Sequence, residues 1–420
     1  MARRRARAHN GGVTRESDCY QAAIGAGVDP SGTPWAALDP ALLRTQRTSI
    51  KWTRYPDALP MFVAEMDFTV APEIRRALIE RIEASDIGYL DAPGPLAAAF
   101  ADFAQDRWGW AVDHRFVHLA TDVATGVVEA LRLVTPATGR LVLQTPTYPG
   151  FFEMLEELPF EVVELPLAGT DGGASAATVG LDLEAIEREF ASGADAFILC
   201  NPHNPHGTVF AETELSELAR LAAAHDVFVV SDEIHAPLTH GEASFTPFAP
   251  LAAAAGALSV TTTSASKGWN LAGAKCSVIV AADERANRLL QVLPPETTTR
   301  ASLLGLHASV AAFTEAQGWL DRTVAQIQAN QALFAQLVAE RLPRVDYAPG
   351  RAGYLAWLDL RESGLGQDPA RRILHDARVA LNNGRHFGRG GTGHARLNLA
   401  CAPDTILEAV DRISRLEPAA

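Results

Sequence analysis

The sequence predicts an α/β protein with a mostly parallel sheet, followed by a smaller α+β unit at the C-terminus. Three observations lead there. Continuous apolar or β-branched runs at 141–143, 196–200, 227–230 and 257–263 have the composition of strands buried on both faces. Segments of helical periodicity separate them, which is the alternation that builds a parallel sheet. A predominantly helical stretch at 302–342, interrupted around Gln317-Gly318, then carries the chain away from the sheet. After it come strands at 345–347, 354–360 and 396–400 and helices at 369–377 and 405–416.

Taken in order, residues 1–16 read as a disordered basic tail, and Asn10-Gly11-Gly12 adds turn residues to it. Residues 17–60 are rich in proline and turn residues and read as an arm lying over another surface, with Lys51-Trp52 inside it. A short apolar stretch at 61–68 holds two acids, Glu65 and Asp67. Pro72 opens a helix over 73–83 with Ile74, Leu78 and Ile82 on one face. Gly88-Tyr89 lies in a loop before a helix at 96–108, and 116–120 alternates as a strand. Thr125-Gly126-Val127-Val128 opens the next helix. Helices follow at 151–158, at 182–190 with Asp182 as N-cap, and at 213–225 with Leu215, Leu218 and Ala222 on one stripe. The segment 160–165 is a strand, and the Gly-rich 168–180 is a surface loop.

Composition narrows the function. The chain has 420 residues, of which 48% are hydrophobic and 20% charged, ordinary for a globular enzyme. Its formal net charge of −14 argues against a nucleic-acid partner, since a duplex backbone repels it. The four cysteines, Cys19, Cys200, Cys276 and Cys401, are scattered, which fits neither a disulfide framework nor a zinc site and suggests a reducing compartment. No apolar run is long and clean enough to span a bilayer, and the basic start lacks the apolar core of a secretory signal, so the expectation is a cytoplasmic protein.

Ligands of open α/β sheets bind outside the carboxyl ends of the strands. Four such ends carry unusual residues. Thr121-Asp122-Val123-Ala124-Thr125-Gly126-Val127 offers backbone N–H groups at a helix start, a seat for a phosphate. Asn201-Pro202-His203-Asn204-Pro205 is a rigid turn that presents the Asn204 amide. Ser231-Asp232-Glu233-Ile234-His235 follows a buried strand, where an acid is costly unless it meets a cation such as a pyridinium nitrogen. Ser264-Ala265-Ser266-Lys267 places a lysine among hydroxyls, where its amine can form a Schiff base with an aldehyde cofactor; Lys275 lies beyond as a second positive charge.

These segments, in this order and followed by Arg396-Leu397-Asn398, resemble the class I/II aminotransferases, pyridoxal 5′-phosphate enzymes of the aspartate aminotransferase fold. Lys51-Trp52, Glu65-Met66-Asp67-Phe68, Gly126-Val127-Val128, Pro146-Thr147-Tyr148 and Asn270-Leu271-Ala272-Gly273 are similar to the cystathionine β-lyase (C–S lyase) subgroup. The resemblance implies Lys267 as the Schiff-base lysine and Asp232 as the partner of the pyridine nitrogen. It implies Asn204 and His235 near the ring hydroxyl and Tyr148 stacked on the ring. Gly126, Val127, Ser264, Ser266 and Lys275 are implied around the phosphate, with Tyr89 reaching it from a partner subunit, and Arg396 on the substrate carboxylate. Departures from the subgroup pattern stand at Glu65, Thr125, Gly268-Trp269, Pro237 and His394, and bear on the substrate side-chain pocket.

The expectation is therefore an aspartate-aminotransferase-like α/β fold, with a large cofactor domain at 61–304 and a small domain formed by the arm and 305–420. The resemblance implies a homodimer and a carbon–sulfur β-lyase acting on L-cystathionine or a related S-substituted cysteine, without nucleic-acid or membrane partners. The alternatives are an aminotransferase and a cofactor-binding regulatory protein. No second arginine is evident to receive a side-chain carboxylate, which disfavours a dicarboxylate aminotransferase.

Overall fold

The computed structural model describes residues 39–136, 138–170 and 179–416. The basic tail, Cys19, the first part of the arm and the middle of the Gly-rich loop lie outside the described residues. The ends of that loop meet through a bridge between Ala168 and Gly180.

A seven-stranded sheet forms the larger body. Its strands are β2 (Val117–Ala120), β3 (Gly139–Thr145), β4 (Phe160–Pro166), β5 (Ala196–Cys200), β6 (Phe228–Asp232), β7 (Ser259–Thr263) and β8 (Ser277–Ala281), in the spatial order β2-β8-β7-β6-β5-β3-β4. All neighbours from β4 to β7 are parallel, and β8 alone runs the other way, antiparallel to both β2 and β7. The strand β8 is absent from the sequence expectation. Its short run Ser277-Val278-Ile279-Val280-Ala281 follows the Lys267 turn at once, with no intervening long helix. An antiparallel return needs no helical crossover, so the alternation that exposes the other strands does not mark it.

Burial on both faces explains the composition: every residue of β5, β6, β7 and β8 is buried. One side packs on the helices Val123–Arg132 and Pro149–Leu155, the other on Leu183–Ala191 and Glu212–His225. Asp182 caps the third of these, its carboxylate accepting from Ala185 N. The long helical stretch breaks at Glu315-Ala316, giving Leu303–Thr314 and Gln317–Arg341. Leu306, Phe313 and Leu320 pack on the larger body, while Leu333, Phe334 and Val338 belong to a second core.

That second core covers a small sheet of β9 (Leu355–Asp359), β11 (Asn382–Asn383) and β12 (His394–Asn398), all antiparallel. Beside it, β1 (Leu59–Pro60) pairs in parallel with β10 (Val379–Ala380). The expected strand at 345–347 reduces to a single bridge between Asp346 and Asp359. Ile82, expected on a buried face, is 60% exposed, whereas Ile74 is fully buried.

The arm reading needs correction at Lys51-Trp52, which is a core element: Lys51 and Trp52 are 1% and 4% exposed. Lys51 Nζ donates to Asp67 Oδ1 at 2.6 Å and to Glu65 O at 2.9 Å. Burial pushes the Asp67 carboxyl up, against the pull of Lys51. Removing one partner of such a buried pair leaves an uncompensated charge, at a cost of about 3–5 kcal/mol. Lys51→Met is expected to lower stability by that order in denaturant unfolding, and Lys51→Met with Asp67→Leu to regain much of it; a single variant as stable as the parent contradicts this.

Glu233 makes a pH prediction. Its Oε1 accepts from Ser231 Oγ and Phe248 N, both at 2.9 Å, and Oε2 has no partner among the described residues. Burial raises its pKa to about 8 from 4.5. The folded state therefore holds this proton after the unfolded chain has lost it, and stability falls as pH rises from 4.5 toward about 8. Glu233→Gln removes the titration, so its melting temperature relative to the parent is expected to climb between pH 5 and pH 8. An unchanged difference across that range contradicts the assignment.

Candidate active site

The parallel register gathers the site. Cys200 lies opposite Asp232, and Asp232 opposite Thr262, so the carboxyl ends of β5, β6 and β7 finish in line. Asp232 is the last residue of its strand rather than one beyond it. From these ends project Asn204, Asp232, His235, Ser264, Ser266 and Lys267, which line one cavity of about 180 Å³ together with Tyr148 and Lys275. A wider cavity of about 590 Å³ shares Ala64, Tyr148 and Lys267 with it and holds Arg396.

Lys267 sits on one helical turn, Ala265–Gly268, capped by Ser264, whose Oγ accepts from Ser266 N and donates to Cys276 O at 2.7 Å. Trp269 locks the turn from behind. It is fully buried against Phe103 and Phe313, and its indole N–H donates to Ala316 O at 2.9 Å. A Cβ on Gly268 would stand 3.1 Å from Pro237 Cβ, so these two departures from the subgroup pattern fit each other. Glu65 takes Ser49 Oγ at 2.9 Å, and His394 stacks on Trp357 at 5.1 Å. None of the departures lines either cavity among the described residues; they change the packing behind the site, not the pocket wall.

Lys267 Nζ donates to Ala64 O at 2.9 Å. Burial, then the Arg396 charge, lowers its pKa to about 8, with Asp232 and Glu65 pulling the other way. Burial raises Asp232 to about 6 against an N–H donated by Ile234 and the charge of Lys267. His235, buried and beside two cations, is pushed down to about 3 and stays neutral. Arg396, 3% exposed, donates to Asn204 Oδ1 at 2.9 Å and to Phe62 O at 3.3 Å, and its Nε has no partner among the described residues. Burial lowers its pKa to about 10, so it remains charged.

The structure does not bring every expected residue to the cavity. Gly126 N donates to Asp122 O within the helix, and a Cβ there would meet Ile279 at 3.2 Å, so this glycine faces the sheet. Val127 is fully buried in the core. The cavity instead meets the first turn, Asp122, Val123 and Ala124. The helix starts earlier than the sequence reading because Asp122 is its N-cap, with Oδ1 accepting from Thr125 N at 2.9 Å. An Asp three residues before a Thr was the available signal. Asp122 Oδ2 also accepts from Lys275 Nζ at 2.7 Å; burial alone would raise this carboxyl, but Lys275 and Thr125 hold it below the usual range. Tyr89, expected to reach the phosphate from a partner subunit, is 93% exposed and does not line this chain's own cavity. Tyr354, expected only as the start of a strand, belongs to the site: it is fully buried, and its hydroxyl donates to Ala64 O at 3.1 Å, the carbonyl that also holds Lys267.

The family profile "Aminotransferase class I and II" matches residues 59–413. The chain belongs to this family. As a class I and II aminotransferase family member, it is 34% identical over 373 residues to the cystathionine beta-lyase of Corynebacterium glutamicum, covering 89% of this chain and 97% of that one. It is 33% identical over 378 residues to the cystathionine beta-lyase PatB of Bacillus subtilis, covering 87% and 95%. Among solved structures, the PLP-bound C–S lyase from Staphylococcus hominis superposes with a TM-score of 0.79 at 25% identity, covering 87% of this chain and 95% of that one. The aspartate-aminotransferase-like fold expected from the sequence is thus the observed one.

The lysine's environment is directly testable. In protein stripped of bound small molecules, acylation of Lys267 is expected to reach half its maximum near pH 8, where an exposed lysine is still almost fully protonated. Asp232→Asn removes a group that favours the charged amine and is expected to move the midpoint down. Peptide mass spectrometry reads both; a midpoint above pH 10 contradicts the assignment.

Proposed function

We propose that the protein is a pyridoxal-phosphate-dependent carbon–sulfur β-lyase that cleaves L-cystathionine or related S-substituted cysteines to pyruvate, ammonia and a thiol. The observation that carries this reading is the 33–34% identity, over nearly the whole chain, to two cystathionine β-lyases.

The residues fit the cofactor. Asp232 is a buried carboxylate with no cationic hydrogen-bond partner among the described residues, and a pyridine N–H supplies one. The first turn of the helix Val123–Arg132, with Ser266 and Lys275 beside it, suits a phosphate. Tyr148 suits one face of a flat ring. Pyridoxal phosphate, when bound, supplies an aldehyde that condenses with amines and a ring that withdraws electrons from Cα.

The chain's own groups do the rest. Arg396 takes the α-carboxylate in a forked pairing, while Asn204 and Phe62 O hold its guanidinium in place. Lys267 Nζ, whose pKa burial lowers to about 8, is the group placed to accept the Cα proton, in its neutral form, whose share grows as pH rises through about 8. The sulfur leaves Cβ with its bonding pair and takes a proton as the thiol.

The reading includes a homodimer and a cytoplasmic location. Ile79, Ile82, Ile87 and Tyr89 are exposed together in one stretch of chain, which suits a partner surface. The free thiols of Cys200, Cys276 and Cys401 suit a reducing compartment.

Incubation with L-cystathionine and no keto acid is expected to release pyruvate, ammonia and thiol in equal amounts, and Lys267→Ala to abolish the release. Product that forms only with an added keto acid, matched by a new amino acid, makes the protein an aminotransferase instead.

A further inference from the structure

Tyr354 has no role in the chemistry above, yet its hydroxyl meets the same carbonyl as the reactive amine. It stands just before β9 but packs in the core of the larger body, fully buried, with its ring edge-on to His235 at 6.3 Å. Its backbone is pinned as well: Leu399 N donates to Tyr354 O at 2.8 Å, and Gly353 N to Leu238 O at 2.9 Å. From that seat the hydroxyl donates to Ala64 O at 3.1 Å, and Lys267 Nζ donates to the same oxygen at 2.9 Å. Burial pushes the phenol far up, so it stays a donor. The neighbouring carbonyls differ in one respect. Phe62 O, Val63 O, Glu65 O and Met66 O take Arg396, Asn398, Lys51, Asn270 and Arg47, donors that the chemistry leaves in place. Ala64 O alone among these five loses a donor during the reaction, because the Lys267 nitrogen must turn to the ligand.

We propose that Tyr354 is a positioning residue for Lys267: its hydroxyl keeps Ala64 O bonded and fixed in place, so that the amine is held there at rest and released when a ligand arrives. This rests on the lyase reading and adds a residue to it. The physical argument is the capacity of one oxygen. A carbonyl has two lone pairs and accepts two donors, but the donors compete for its electron density. An ammonium gains most from such a bond. With Tyr354 in place, Lys267 holds a shared acceptor, and its departure leaves the oxygen paired instead of orphaned. Without the hydroxyl, Lys267 is the sole donor to Ala64 O among the described residues, so the charged amine is held harder and leaving costs more. Ala64 and Tyr354 are 290 residues apart in the chain, so no local pattern joins them.

The test compares the parent with Tyr354→Phe, which removes only the hydroxyl. In protein stripped of bound small molecules, the acylation midpoint of Lys267 is expected to move up by roughly half a unit, while the rate at the high-pH plateau stays the same. That plateau separates positioning from packing: a pocket merely loosened by the substitution admits reagent faster. In the holoenzyme with L-cystathionine, kcat at neutral pH is expected to fall on the order of tenfold, with KM unchanged because Arg396 and its partners are untouched. Deuterium at Cα is expected to slow the variant more than it slows the parent. Tyr354→Met, which also lacks the hydroxyl, replaces Tyr354→Phe if circular dichroism shows that the latter does not fold. A midpoint that stays or falls, a faster plateau, an unchanged kcat, or a fall in kcat matched by a rise in KM overturns the assignment and leaves the lyase reading standing. If the parent releases no pyruvate, the lyase reading falls, and the acylation titration, which needs no substrate, still decides the role of Tyr354.

Discussion

The site depends on a hydrogen-bonding constraint in the segment 61–68, which is neither helix nor strand yet runs through the interior. Buried carbonyls without a ladder must find donors elsewhere. Here side chains provide them. Arg396 reaches Phe62 O, Asn398 reaches Val63 O and Glu65 O, and Lys267 and Tyr354 share Ala64 O. Asn270 closes both bonds of the Met66 backbone, Arg47 donates to Met66 O and Phe68 O, and Lys51 donates to Glu65 O. The groups assigned to chemistry therefore also satisfy the backbone, and their positions are fixed before any ligand arrives.

The electrostatics follow from that placement. Lys267 and Arg396 share a dry region; burial lowers the pKa of both, and the Arg396 charge lowers that of Lys267 further. Lys267 yields because an amine can lose its proton near neutral pH; a guanidinium cannot. One site thus contains a permanent cation for binding and a titratable amine for proton transfer. Neutral His235 and the amide of Asn204 line the same cavity without adding charge.

Much of this was legible in the sequence. The runs that became β5, β6 and β7 show their burial in composition, and the polar residues at their ends stand out because nothing apolar explains them. Lys267, Asp232, His235 and Asn204 could be found on that ground alone. The strand β8 could not, because its return is short and antiparallel. The helix start at Asp122 was misplaced because Gly126 drew the eye to a turn, when it is a close-packing residue against Ile279. Lys51-Trp52 reads as part of a surface arm because the partner of Lys51, Asp67, lies sixteen residues away, and no local pattern announces such a pairing. The roles of Gly268 and Pro237 required knowing that they touch, which is a property of the folded chain alone.

The run 59–68 is also a tether of limited reach. Leu59 and Met61 are embedded in the core beneath the small sheet, and Met66 and Phe68 in the core of the larger body. Between the anchors the chain bends at 62–64, where Glu65 N donates to Val63 O, so it can change length only by opening that bend. Any tilt of one core relative to the other must be absorbed between the anchors, at Phe62, Val63, Ala64 and Glu65, whose carbonyls hold Arg396, Asn398, Lys267 and Tyr354. Displacement of the two bodies and alignment of the reacting groups are therefore a single mechanical coordinate.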